Sequence, residues 1–140
     1  MRTQWTALYA KSRPVVTKKW YRGWRQTGPQ RVYYRSRMEA NYGAYLEFLR
    51  KRGEILAWEH EPETFWFPVK RGCVSYLPDF RVRTAKGIEY HEVKGWMDPK
   101  SKTKLRRMAR FHPAVKLVLI DTKAYRALKR TVAPLIEGWE

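Results

Sequence analysis

The stretch from Tyr76 to Gly95 constrains this chain more than any other. Two segments rich in β-branched and aromatic residues, Tyr76-Leu77-Pro78-Asp79-Phe80-Arg81-Val82-Arg83 and Ile88-Glu89-Tyr90-His91-Glu92-Val93-Lys94-Gly95, flank the turn-like Thr84-Ala85-Lys86-Gly87. That pattern predicts a β-hairpin. A loop spanning Thr84 to Gly87 pairs Arg83 with Ile88 and sets Asp79 opposite Glu92. A tighter Lys86-Gly87 turn sets Asp79 opposite Lys94. Side chains alternate along a strand with a period of 2, so either even-length loop puts Asp79, Glu92 and Lys94 on one face. An odd-length loop or a bulge would split them.

Two carboxylates directly opposite across a sheet have Cβ atoms roughly 4.5–5.5 Å apart, and like charges there destabilise. A divalent cation neutralises such a pair, and hard oxygen ligands suit Mg²⁺ or Mn²⁺. Lys94 points into the same space, where an ammonium can position a nucleophile or offset developing charge. The combination suits hydrolysis of a phosphodiester. The same spacing also fits ordinary solvated charges on the polar face of a half-exposed hairpin.

Pro78-Asp79 followed by Glu92-Val93-Lys94 resembles the PD-(D/E)xK signature of the restriction-endonuclease-like nucleases. The wider run, from Tyr34-Arg35-Ser36-Arg37-Met38-Glu39-Ala40-Asn41-Tyr42 to Glu92-Val93-Lys94-Gly95, resembles phage-type endonucleases related to the junction-resolving endonuclease I family. The resemblance covers roughly residues 33 to 130. It implies an α/β fold of restriction-endonuclease type, with a central mixed β-sheet flanked by helices. It further implies a Mg²⁺-dependent DNA endonuclease, with Mn²⁺ as a substitute, acting on branched DNA such as a four-way junction, and a homodimer cutting two strands. In that scheme Asp79, Glu92 and the Val93 carbonyl hold the metal, Glu39 completes the site from the first helix, and Lys94 orients the attacking water.

The charge supports an anionic partner. The net charge is +17 and the pI near 10.3, so the surface repels itself and suits nucleic acid. No stretch is long and apolar enough to span a bilayer, and the N-terminus lacks the apolar run of a signal peptide. Cys73 is the only cysteine, which excludes an intrachain disulfide and a thiolate zinc site and fits a reducing cytoplasm.

Two regions follow from the composition: a basic aromatic arm over residues 1–35 and a folded domain over 36–140. Residues 1–37 contain no Asp or Glu. Lys18, Lys19, Arg22, Arg25, Arg35 and Arg37 are interleaved there with Trp5, Tyr9, Trp20, Tyr21, Trp24, Tyr33 and Tyr34, while Pro14, Gly23, Gly28 and Pro29 interrupt any periodicity. The segment reads as an extended arm that contacts phosphates and stacks on unpaired bases. The alternative is a tail that wraps its own domain.

Ser36 and Glu39 form a capping box, and Met38, Tyr42, Tyr45, Leu46 and Leu49 follow at helical spacing up to Gly53, predicting a helix over 37–52. Glu39 is therefore either the capping carboxylate or, as the resemblance implies, a site ligand. Strands are predicted over 55–60 and 64–69. Glu59, on the strand side, is a candidate further carboxylate near the site, and His60 reads as packed or exposed. Asp98-Pro99 starts a helix to about Phe111, with Leu105, Met108 and Ala109 inward. Its Lys100, Lys102, Lys104, Arg106 and Arg107 are candidate phosphate contacts. Val115 to Ile120 reads as a buried strand, Asp121 as the cap of a further helix, and Ala133 to Trp139 as a short helix or docking tail.

Overall fold

The computed structural model describes residues 22–140. The expectations placed on Trp5, Tyr9, Lys18, Lys19, Trp20 and Tyr21 lie outside the described residues.

The described chain begins with a β-hairpin, β1 (Gly23–Thr27) and β2 (Gln30–Tyr34), in the register Gly23↔Tyr34 to Thr27↔Gln30. This corrects the extended-arm reading for these residues. Gly28-Pro29 is the turn, with Gly28 at φ +56, where a glycine avoids the Cβ clash of the left-handed region. Val32 and Tyr34 alternate inward into the core, while Trp24 and Tyr33 stay exposed. Strands this short present too few alternating positions to stand out from the basic residues between them. Tyr34 is fully buried, and its hydroxyl lies where a Cβ on Gly43 would come within 2.4 Å, so only glycine lets the hairpin sit this close to the helix.

Helix α1 (Arg37–Lys51) begins as expected at Ser36, whose hydroxyl accepts the Glu39 N–H. Its Tyr42 and Leu46 enter the core. β3 (Ala57–His60), the short β4 (Phe65–Trp66) and β5 (Ser75–Tyr76) follow, then β6 (Phe80–Thr84) and β7 (Gly87–Val93). α2 (Pro99–Phe111), β8 (Leu117–Ile120), α3 (Thr122–Thr131) and a single 3₁₀ turn (Ala133–Leu135) complete the chain. Among the described residues the fold is mixed α/β: a four-stranded sheet in the order β3-β6-β7-β8, antiparallel except for the parallel β7–β8 pair, with three α-helices.

Alternation sorts the sheet into two faces. Trp58, Phe80, Val82 and Ile120 project toward α1, α3 and the first hairpin. Tyr90 and Leu117 project toward α2 and the β4–β5 ribbon, joining Phe65, Phe67, Tyr76 and Met108. Phe80 is fully buried at the centre of the first layer, and truncating it to alanine costs about 3–5 kcal/mol.

Two helical and strand expectations need amending. Ala109 is exposed, and Leu105 and Met108 carry the inward face of α2. β8 is an edge strand rather than a wholly buried one: Ile120 is buried but Leu119 is 37% exposed, because only β7 pairs with it. The C-terminal stretch docks, as the second of its two readings expected. Ile136 is buried, Trp139 stacks on Tyr125 at 5.3 Å, and the Asn41 side chain bonds both the N–H and the C=O of Glu140.

Candidate active site

The β6–β7 register decides the site. Thr84 pairs with Gly87 across an Ala85-Lys86 tip, held by Thr84 Oγ1, which accepts the Lys86 N–H at 3.1 Å. The pairs Arg83↔Ile88 to Phe80↔His91 follow, so the next step outward sets Asp79 beside Glu92. This is the first of the two even registers. Asp79 and Glu92 share the parity of Arg81 and Tyr90, and Lys94 continues it.

These side chains line one cavity of about 550 Å³ with Glu39, Arg35, Tyr76, Val93, Trp96 and Lys104. Glu39 arrives from the first turn of α1. Lys104 comes from α2, whose start is fixed by Asp98 accepting the Ser101 N–H at 2.7 Å. Five of the residues predicted for the site from sequence, Glu39, Asp79, Glu92, Val93 and Lys94, therefore meet in a single pit.

The carboxyls there are not equivalent. Asp79 is 8% exposed, and its Oδ2 accepts the Val93 N–H at 2.8 Å. Burial, then the negative charges of Glu92 and Glu39, push its pKa up to about 9, more than the Val93 hydrogen bond recovers. Glu92 Oε2 accepts the Tyr76 hydroxyl at 2.5 Å. Burial nonetheless holds Glu92 above the ordinary carboxylate range, despite Tyr76, the Asp79 backbone and the Lys94 charge. Tyr76 itself is raised by burial and by the Glu92 charge, so it remains a donor.

Glu39 caps the helix start and also lines the cavity. Its Oε2 accepts the Arg35 N–H at 2.7 Å, a capping contact one residue beyond the N-cap. Its Oε1 lies 3.2 Å from His60 Nε2. Burial pushes Glu39 up, but the His60 and Arg35 hydrogen bonds outweigh it and hold the group below its usual range.

Would a cation fit? Asp79, Glu92 and the Val93 backbone offer hard oxygens, and the two carboxyls carry raised proton affinity, the mark of charge that the chain does not neutralise. That donor chemistry suits Mg²⁺ or Mn²⁺. Among the described residues, the trio whose ligand atoms lie within 4.8 Å of one another is a different one, Glu39, His60 and Glu61. Arg35 already forks onto Glu61, with Nη1–Oε1 at 2.5 Å and Nη2–Oε2 at 3.2 Å, and His60 already pairs with Glu39. The chain answers those charges itself.

The basic candidates divide. Lys104 and Arg35 stand at the cavity. Lys100, Lys102 and Arg106 are exposed along α2, and Arg22 and Arg37 are exposed near the first hairpin and the start of α1. Arg107 instead donates to the Arg71 and Cys73 carbonyls at 3.1 and 2.5 Å, tying down the loop before β5. Arg25 binds Glu140 and the Gly138 carbonyl. Lys18 and Lys19 lie outside the described residues. Glu59 is forked by Arg81 at 2.9 Å and does not line the cavity. Tyr76 and His60 have roles that sequence reasoning missed, since a lone tyrosine or histidine carries no spacing signal.

Comparison with protein-family models, curated proteins and solved structures finds no match to the chain. Among the described residues, no helix is long and apolar enough to cross a membrane.

Proposed function

We propose that the protein is a divalent-metal-dependent DNA endonuclease of the PD-(D/E)xK, restriction-endonuclease-like kind that its sequence resembles. The observation that carries the reading is the convergence of Asp79, Glu92, Glu39 and Lys94 on one cavity, with Asp79 and Glu92 both driven toward their neutral forms by burial. Asp79, Glu92 and the Val93 carbonyl would hold Mg²⁺, or Mn²⁺, with Glu39 extending the set. The ion would supply Lewis acidity toward the phosphodiester and a more acidic water. Binding it must displace the proton that Asp79 otherwise keeps, so affinity rises with pH.

The chain's own residues do the rest. Tyr76 fixes the Glu92 carboxylate, and the Val93 N–H fixes Asp79. Lys94 orients the attacking water and offsets the charge that develops on phosphorus oxygens. Lys104 at the rim and Lys100, Lys102 and Arg106 along α2 bind the DNA backbone. The resemblance extends the proposal to branched DNA, a homodimer and a cytoplasmic setting.

The deciding experiment is Mg²⁺-dependent cleavage of matched duplex, flap and four-way-junction DNA by wild type, Asp79→Ala and Lys94→Ala. Cleavage lost with DNA binding kept supports the roles. Cleavage that survives in both variants overturns them and leaves a basic nucleic-acid-binding protein. Equal wild-type rates on all three substrates remove the junction preference.

A further inference from the structure

We infer that Trp96 is a nucleobase-stacking subsite at the mouth of the Asp79–Glu92 cavity, taking the base of an unpaired nucleotide beside the phosphodiester held below. The inference rests on the nuclease reading and adds to it the feature of DNA that the site selects.

Trp96 lines the cavity yet is 73% exposed, the most exposed of the large apolar side chains among the described residues. Its position is fixed from both sides. On one, the Lys94 N–H donates to the Ile120 carbonyl at 3.0 Å, and the Thr122 hydroxyl donates to the Gly95 carbonyl at 2.8 Å. On the other, Asp98 caps α2. The indole is thus presented from a short span anchored to β8, α3 and α2.

The other two highly exposed tryptophans among the described residues differ. Trp24 makes an edge contact with Tyr33 at 5.6 Å and carries the Arg31 guanidinium at 5.5 Å over its ring. Trp66, 65% exposed, lies on β4 and does not line this cavity. Among the described residues, Trp96 has no ring or guanidinium stacked on it.

The chemistry around Trp96 names the ligand. Lys94 and Lys104 line the pit with positive charge suited to phosphate, and the indole adds a flat apolar face beside them. A phosphate next to a planar π-system is the signature of a nucleotide. Bases inside a duplex are already stacked on their neighbours, so a ring at the backbone reaches only an unpaired one. Stacking of this kind tolerates any base, because every base has a π-face. The preferred DNA therefore carries an unpaired nucleotide next to the cut, as a flap or a gap does.

The test compares wild type with Trp96→Ala and Trp96→Phe, and uses Trp66→Ala as an exposed control away from the cavity. Binding is read by fluorescence anisotropy in EDTA, on a 5′-flap, the same flap with an abasic nucleotide at the branch, and a matched duplex. Single-turnover cleavage in Mg²⁺ is read alongside. Trp96→Ala is expected to weaken flap binding about tenfold and duplex binding less than about twofold. Trp96→Phe should retain most flap affinity, the abasic flap should reduce wild type to the alanine level, and Trp66→Ala should change nothing.

Equal losses on flap and duplex, or none, overturn the subsite. If Asp79→Ala abolishes cleavage while Trp96→Ala shows no flap-selective loss, the subsite fails and the nuclease reading stands. If Asp79→Ala cleaves normally but the flap-selective loss persists in EDTA, the subsite stands and the nuclease reading fails.

Discussion

Glu47 and Asp79 are both buried carboxylates, 5% and 8% exposed, and the molecule treats them in opposite ways. Glu47, in α1, receives Arg50 Nε and Nη2 at 2.7 and 2.8 Å and the Trp58 indole N–H at 3.0 Å. The Arg50 hydrogen bond outweighs burial and holds Glu47 below its ordinary range. Asp79 receives one backbone N–H and faces two further carboxyls, so burial and repulsion push it up to about 9. Burial alone therefore does not mark a functional acid. What separates the two is the answering charge, which Glu47 has in Arg50 and which Asp79, just before β6, lacks.

The widest separation between the two regions should appear in activity. Asp79→Ala or Lys94→Ala is expected to reduce Mg²⁺-dependent cleavage by about 10³-fold with DNA affinity nearly unchanged, whereas folded Glu47→Ala should cleave at the wild-type rate. A Glu47 variant as inactive as the Asp79 one, at equal folded fraction, would erase the distinction.

Metal should separate them next. Mg²⁺ at about 100 times its Kd is expected to stabilise the wild type by about 2.7 kcal/mol in thermal or urea unfolding, and an Asp79→Asn/Glu92→Gln double variant not at all. An equal shift in both would move the ion elsewhere.

In metal-free protein the order of damage inverts. Glu47→Ala leaves the Trp58 N–H without its acceptor and should cost about 2 kcal/mol in urea denaturation. Asp79→Asn removes an acid that is already disfavoured as an anion and should be neutral or mildly stabilising. An Asp79→Asn loss as large as that of Glu47→Ala would recast Asp79 as a structural partner.

The pH dependence separates the two acids as well, and the signs oppose. Asp79 binds its proton more tightly folded than unfolded. Its contribution is full below its ordinary value of 3.8 and is lost as pH rises through about 9. Glu47, depressed by Arg50, contributes above its ordinary value and loses that contribution as pH falls through its folded value. The difference in unfolding free energy between metal-free wild type and Asp79→Asn should therefore shift against wild type from about pH 4 to pH 9. A difference independent of pH would mean that Asp79 is not the acid holding the proton.

Much of the site was legible because its logic is local. The period of 2 and an even-length turn set the shared face of Asp79, Glu92 and Lys94, and the observed Arg83↔Ile88 register was one of the two foreseen. Ser36, Asp98 and Asp121 each cap a helix where the sequence predicted one, since a cap is decided within three residues. The first hairpin was not legible: Gly28-Pro29 reads equally as a break in an arm or as a turn, and only the seat for Tyr34 over Gly43 settles which.

By itself, then, the sequence determined the charge of the protein, its helix starts, and the parity that brings two acids and a lysine to one side of a hairpin. Tertiary structure alone decided which remote groups reach them. Glu39 arrives from another element, Tyr76 and His60 hold the acids from outside any motif, and Arg25 and Arg107 are spent on internal carbonyls rather than left for a partner. The reason is physical. Turn, cap and strand preferences act over a few residues, whereas the meeting of distant side chains depends on how α1, α2 and the β4–β5 ribbon pack against the sheet, which no local spacing encodes.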